Sequence, residues 1–138
     1  MLYSRMTEHA ITALGQIARM GEPGFVSTSS IAATAGIPRP ILTKVIAALA
    51  RGNLVKTREG RHGGVRLARP AEEILIRHVV SVFDGVEVLP PCPIHERGCN
   101  CKNRTPCKLH DLWGGIRDAA DRFLDGVTIA DVSEGLDR

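Results

Sequence analysis

No stretch of this sequence stays apolar long enough to cross a membrane or to form the core of a signal peptide. The amino-terminal segment MLYSRMTEHAITALGQIARM is broken by Arg5, Glu8, His9, Gln16 and Arg19. A soluble, cytoplasmic chain with no membrane partner is therefore expected. Catalytic signatures are also missing: there is no Ser/His/Asp set, no pair of catalytic carboxylates and no phosphate-binding glycine loop, which argues against an enzyme. Internal repeats and low-complexity tracts are absent. Cysteine does not occur before position 92, and then all four, Cys92, Cys99, Cys101 and Cys107, fall within sixteen residues. In a reducing compartment such clustering favours metal ligation or thiol redox chemistry over structural disulfides.

What is present is enough for one compact core with an appendage: 138 residues, 43% of them hydrophobic. The net charge of +3 conceals an asymmetry, because residues 1–70 hold ten Lys/Arg against three Asp/Glu and residues 71–138 hold eight against twelve. The first half is suited to a polyanion and the second to another task.

Apolar residues recur at three- and four-residue steps from Ala10 to Met20, as in a helix that buries one stripe. The hydroxyls of Ser27 to Ser30 can cap a short helix through Ala35, Gly36 supplies the turn, and Pro38 and Pro40 open a second helix carrying Ile41, Leu42, Val45, Ile46 and Leu49. After Gly52-Asn53, residues 54–58 and 65–68 read as two strands around the loop Glu59 to Gly64. Residues 73–83 form a further amphipathic helix, and residues 127–132 a last short turn or helix. From Leu109 to Leu124 runs a helical stripe with the only Trp, which suits packing against a partner subunit. The expected fold class is mainly α with a small β-hairpin wing: a winged helix-turn-helix domain over residues 1–70, then a cysteine-loop and dimerisation region over 71–138.

A recognition helix presents its first two turns to base edges in the major groove of DNA. Here those turns carry Arg39, Thr43 and Lys44, while Ser29 and its neighbouring hydroxyls lie where a helix start can take a phosphate. Lys56, Arg58, Arg61, His62 and Arg66 make the hairpin a cationic finger whose three glycines permit close approach to a sugar-phosphate rail. The expected partners are double-stranded DNA, at a palindromic or pseudo-palindromic operator, and a second copy of the chain, with residues 109–124 as the seam.

The segment from Cys92 to Cys107 has too few apolar residues to fold by burial, so something else must order it. Its spacing, Cys92-x6-Cys99-x1-Cys101-x5-Cys107, lacks the short paired knuckle of zinc ribbons and suits the wider span of an iron-sulfur cluster, 2Fe-2S or 4Fe-4S. Cys99 and Cys101 stand only two positions apart, and both are not expected to act as ligands.

The sequence resembles the winged-helix regulators that include IscR, NsrR and RirA, which sense iron-sulfur status, nitric oxide or iron. The likeness spans nearly the whole chain. It lies in Tyr3-Ser4 to Ala13, Ile31 to Gly36 with Ile37 and Leu42, Leu49 to Gly64, Val82-Phe83-Asp84-Gly85, and Cys101-x5-Cys107-x2-His110-x2-Trp113. The resemblance implies a transcription repressor whose cluster is bound by Cys92, Cys101 and Cys107, with Cys99 as an additional cysteine. It also implies a fourth ligand, either Glu8 from the other subunit or His110. His9, His62 and His78 receive no metal role, and His95 lies within the cysteine loop. Thr43 stands where relatives often carry Glu, and Glu59, beside Arg58, where they carry Arg at the wing base. The operator sequence therefore does not transfer. Two other readings stay open: a zinc-binding or thiol-switch regulator, separable by metal analysis and thiol counts, and a small iron-sulfur electron carrier, which would leave the cationic hairpin without a purpose.

Overall fold

Ser4 begins the first helix: its side chain accepts from the Thr7 amide, and the apolar spacing behind it carries α1 (Arg5–Met20) to Gly21. The computed structural model describes residues 2–21, 24–95 and 107–137. After α1 come α2 (Thr28–Ala35), α3 (Arg39–Arg51), β1 (Val55–Arg58), β2 (Gly64–Leu67), a 3-10 turn (Ala71–Glu73), α4 (Ile76–Phe83), α5 (Lys108–Gly126) and α6 (Ile129–Leu136). This is the helical fold with a two-stranded wing that the sequence predicts. No single described helix is long and apolar enough to cross a membrane.

Ser27 caps α2 by accepting from the Ser30 amide, and Gly36 ends it in the left-handed conformation at φ 66°. Proline inside the first turn then opens α3, and the chain bends by 114° between the two helices. At the other end of α3 the left-handed residue is Asn53, at φ 58°, and not Gly52. Asn tolerates this conformation. Gly52 serves a different end, because a Cβ there would crowd the Val82 side chain on α4.

In the wing Val55 pairs with Leu67, Lys56 with Arg66, Thr57 with Val65 and Arg58 with Gly64. Val26 adds a third, single-residue rung: it exchanges amide hydrogen bonds of 2.8 Å with Val65 in both directions. The wing is thereby tied to the segment between α1 and α2. Gly64 is required for this approach, since it sits at φ 149° and a Cβ would collide with the Val26 carbonyl.

The expected helix over residues 73–83 begins later, at Ile76. The chain first pairs Leu75 with Thr128 across an isolated bridge, and His78 Nδ1 accepts from the Leu75 amide. The last helix is longer than the expected 127–132 segment. Thr128 and Asp131 form a reciprocal capping box, and the helix continues through Leu136 because it docks on α1. The core crosses residue 70 without a break, with Leu14, Ile17, Ile31, Leu42 and Leu49 joined by Ile74, Ile76, Val79, Leu124 and Ile129. Each fully buried aliphatic side chain contributes about 1.5–3 kcal/mol.

Asp84, just past α4, reaches back across the chain to the start of α1, where Oδ2 accepts from the Ser4 amide at 2.8 Å and the Thr7 hydroxyl at 2.6 Å. Burial alone would raise the Asp84 pKa. The Ser4 amide and the Thr7 and Ser4 hydroxyls outweigh that effect and hold it below the ordinary 3.8.

Thr7→Val removes a charge-assisted hydrogen bond at a fully buried position and should cost about 2 kcal/mol at neutral pH. Because the folded pKa of Asp84 is depressed, its stabilisation is complete above the unfolded value and lost as pH falls through the folded one. Thermal melts should show the T7V deficit shrinking in acid, and an equal deficit at both pH values would refute the clasp. Gly64→Ala should break the Val26–Val65 rung. It should lower stability by about 1–3 kcal/mol and expose both amides to hydrogen exchange, whereas unchanged protection would contradict the close approach.

Candidate nucleic-acid interface and cysteine segment

The two-helix corner buries Ile31, Leu42, Val45, Ile46 and Leu49 and turns Ser29, Arg39, Thr43 and Lys44 to solvent. Arg39 and Ser29 meet: Arg39 Nη1 donates to Ser29 Oγ at 2.6 Å, linking the starts of α3 and α2. Thr43 Oγ1 donates to the Arg39 carbonyl at 2.9 Å, so its proton is used within the helix and its methyl and lone pairs remain available. Pro40 and Lys44 stand exposed on the same helix.

On the wing Lys56, Arg58, Arg61, His62 and Arg66 are all exposed. Arg58 Nη2 donates to the His62 carbonyl at 2.7 Å and so braces the wing tip. Among the described residues, none of Arg39, Lys44, Lys56, Arg58, Arg61 and Arg66 has a carboxylate within ion-pair distance. These cations are thus displayed without internal neutralisation, as a surface that meets a polyanion requires.

The carboxyl-terminal half holds α5 and residues 86–95 by other means. Arg77 on α4 forks onto two carboxylates of α5: Nε donates to Asp125 and Nη2 to Asp121 at 2.7 Å. The hydrogen bonds to Asp125 and then Asp121 raise the Arg77 pKa further, and the same contact to Arg77 lowers that of Asp125. Nearer its start α5 is tied to the preceding chain, because Trp113 Nε1 donates to the Pro90 carbonyl at 2.8 Å. That contact places the segment bearing Cys92 beside α5.

Cys92 is buried, 5% exposed, yet outside the main core, whereas Cys107 is exposed and caps α5 without a side-chain hydrogen bond. His110 lies exposed one turn into α5. Glu8 faces Arg5 at 3.5 Å and shares a notch with Leu2, Tyr3 and Phe123. Cys99 and Cys101 lie outside the described residues. Among the described residues no three His, Cys, Asp or Glu side chains converge closely enough to hold a metal ion. His78, given no metal role above, caps α4, and burial and then the charge of Arg69 lower its pKa.

The stripe expected along residues 109–124 divides on folding. Leu124 is fully buried against the core, while Leu109, Leu112, Ile116 and Phe123 stay 40–60% exposed. Residues that the sequence did not single out are Arg77, Asp121 and Asp125, whose only early sign was a cation followed far along the chain by acids at four-residue spacing. Phe25 was missed as well. Its ring lies under two wing arginines.

The family model described as Rrf2, iron-dependent transcriptional regulator, matches residues 3–135. A protein of Mycobacterium tuberculosis H37Rv described as an HTH-type transcriptional regulator is 32% identical over 137 residues, covering 98% of this chain and 83% of the relative. HTH-type transcriptional regulator IscR of Aliivibrio salmonicida is 28% identical over 124 residues, covering 90% and 72%. Among solved structures, CymR (YrzC), the global cysteine regulator of B. subtilis, superposes with a TM-score of 0.78 at 27% identity, covering 95% of both chains. T. potens IscR superposes with a TM-score of 0.73 at 25% identity, covering 96% of this chain and 85% of the other. With its helix-turn-helix corner, its paired wing and a family match from end to end, this chain belongs to the Rrf2 family of winged-helix transcriptional regulators.

Proposed function

We propose that this regulator is a homodimer that grips a palindromic operator through α3 and the wing, and that its DNA binding is controlled by an iron-sulfur cluster held in the cysteine segment. The observation that carries the DNA half is the display of six cations on α3 and the wing with no carboxylate in reach among the described residues. Arg39, Thr43 and Lys44 read base edges, with Arg39 preset by Ser29, while Lys56, Arg58, Arg61 and His62 grip phosphates and the groove edge. The exposed stripe Leu109, Leu112, Ile116 and Phe123 forms the seam with the second copy, which would bury an otherwise wetted apolar face.

The donor chemistry fits a cluster. Cys107 offers a thiol free of any capping bond, Cys92 a thiol already withdrawn from water, and His110 and Glu8 an imidazole and a carboxylate. Cys92, Cys101 and Cys107 would hold it, with Cys99 as a further thiol and Glu8 or His110 as the fourth ligand. When bound, the cluster would supply a centre that reacts with oxidants or nitric oxide and that is not assembled when iron is short. The chain's part is to tie the segment to α5 through Trp113 and α5 to α4 through Arg77, so that a change in the segment is felt at the dimer seam.

A second reading, a zinc site or a thiol-disulfide switch controlling the same DNA-binding half, is favoured by one observation: the chain is similar in shape to CymR, the global cysteine regulator of B. subtilis.

Binding is best followed by anisotropy on an operator recovered by selection from random duplexes. Arg39→Ala should lose about ten- to a hundredfold on the selected site and little on random DNA. Lys56→Ala and Arg61→Ala should weaken both and each lower the salt slope by about one. Parental binding in all three variants would end the DNA reading. Separately, anaerobically purified protein should be coloured and contain iron and acid-labile sulfide, and Cys107→Ala should lose both. Colourless protein after reconstitution with iron and sulfide, with bound zinc or an oxidant-dependent thiol count, would give the site to the second reading.

A further inference from the structure

We propose that Phe25 is a positioning residue for DNA binding: its ring holds the guanidinium groups of Arg58 and Arg66 in the pose in which the wing meets phosphate. This inference rests on the reading that the wing contacts DNA. Arg58 Cζ lies 4.3 Å from the ring centroid and Arg66 Cζ 5.2 Å, both within the range of cation-π attraction.

The register of the wing explains how one ring serves two arginines. Val26 pairs antiparallel with Val65, so Phe25 stands next to Arg66 on the other face of the hairpin. Arg58 is one strand further away, but its ladder partner is Gly64. No side chain intervenes there, and Arg58 can lie across β2 onto the ring. Its second anchor is the His62 carbonyl, so the guanidinium is held at two points while most of its five donors remain free.

The same face carries Lys56 directly opposite Arg66, an arrangement of like charges that destabilises an isolated hairpin. The described residues provide no carboxylate to relieve it. A polyanion relieves it, and the ring keeps the cations together until one arrives. Phe25 has no comparable duty in the interior: it is half-buried, and it is not among the described apolar side chains packed on the core. An arginine already held in place also loses less rotamer freedom on gripping phosphate than a free one does.

The test uses the full chain and a random-sequence duplex, with anisotropy titrations over a series of KCl concentrations and a thermal melt of each variant. Phe25→Leu keeps apolar bulk and removes the ring. It should weaken binding about fivefold and lower the slope of log affinity against log salt by about one, with the melting midpoint retained. Phe25→Tyr keeps the ring and should restore both values. In the Arg58→Ala/Arg66→Ala double variant the loss should already be present, and adding Phe25→Leu should change nothing more. Parental affinity and slope in F25L would overturn the proposal. So would an equal further loss on the double-variant background, or a lowered midpoint in both F25L and F25Y with the salt slope unchanged. If the double variant itself binds like the parent, the wing is not a DNA contact and the underlying reading falls with the proposal.

Discussion

Ala10, Ala13, Leu14 and Ile17 are withdrawn from water on a single helix, and α1 is the element that α2, α3, α4, α6 and β2 all pack against. The geometry of the helix-turn-helix corner and the placement of the carboxyl-terminal half therefore have a common reference. Asp84 reinforces it by locking the end of α4 to the capped start of α1, and Gly15 does so from the other side, since a Cβ there would crowd Val132 and Leu136 on α6. A shift of α4 or α6 cannot leave α1 undisturbed, and through α1 it reaches the wing. On the proposed reading, this mechanical continuity would carry a signal at one end of a single core to DNA at the other.

Charge is arranged against the internal stability of the wing. Opposed like charges on a two-stranded hairpin cost energy, and this hairpin compensates with backbone ties: the rung from Val26, the close approach at Gly64 and the contact of Arg58 with the His62 carbonyl. In the second half the sign is reversed, and there acids serve as anchors. Asp121 and Asp125 engage Arg77, and Asp131 caps α6. The asymmetry visible in the composition thus separates a face left unneutralised from a body in which Asp84, Asp121, Asp125 and Asp131 hold helices in place.

Between α4 and α5 the chain changes its means of support. Residues 86–95 contribute little to the core, and what secures them is a hydrogen bond from Trp113 and the burial of Cys92. Such a segment is well placed to respond to a ligand or to oxidation, because few packed contacts oppose its rearrangement. Its neighbour α5 carries both the clasp to α4 and the exposed apolar stripe, so it would join that segment to the seam of the proposed dimer.

Local physics made the helix-turn-helix and wing legible from the residues alone. The three- and four-residue spacing of apolar side chains, the hydroxyls before α2, Gly36 after it and the prolines at the start of α3 each act within a few residues, and so each is written directly in the order of the chain. The cysteine cluster was legible for the same reason, as a composition that burial could not order. Only the tertiary structure decided the Asp84 clasp, the Arg77 fork, the length of α6, the splitting of the α5 stripe and the placement of Phe25 against Arg58 and Arg66. These depend on partners brought together from distant positions, 77 and 80 residues apart for Asp84, and periodicity along one element carries no record of what packs across from it.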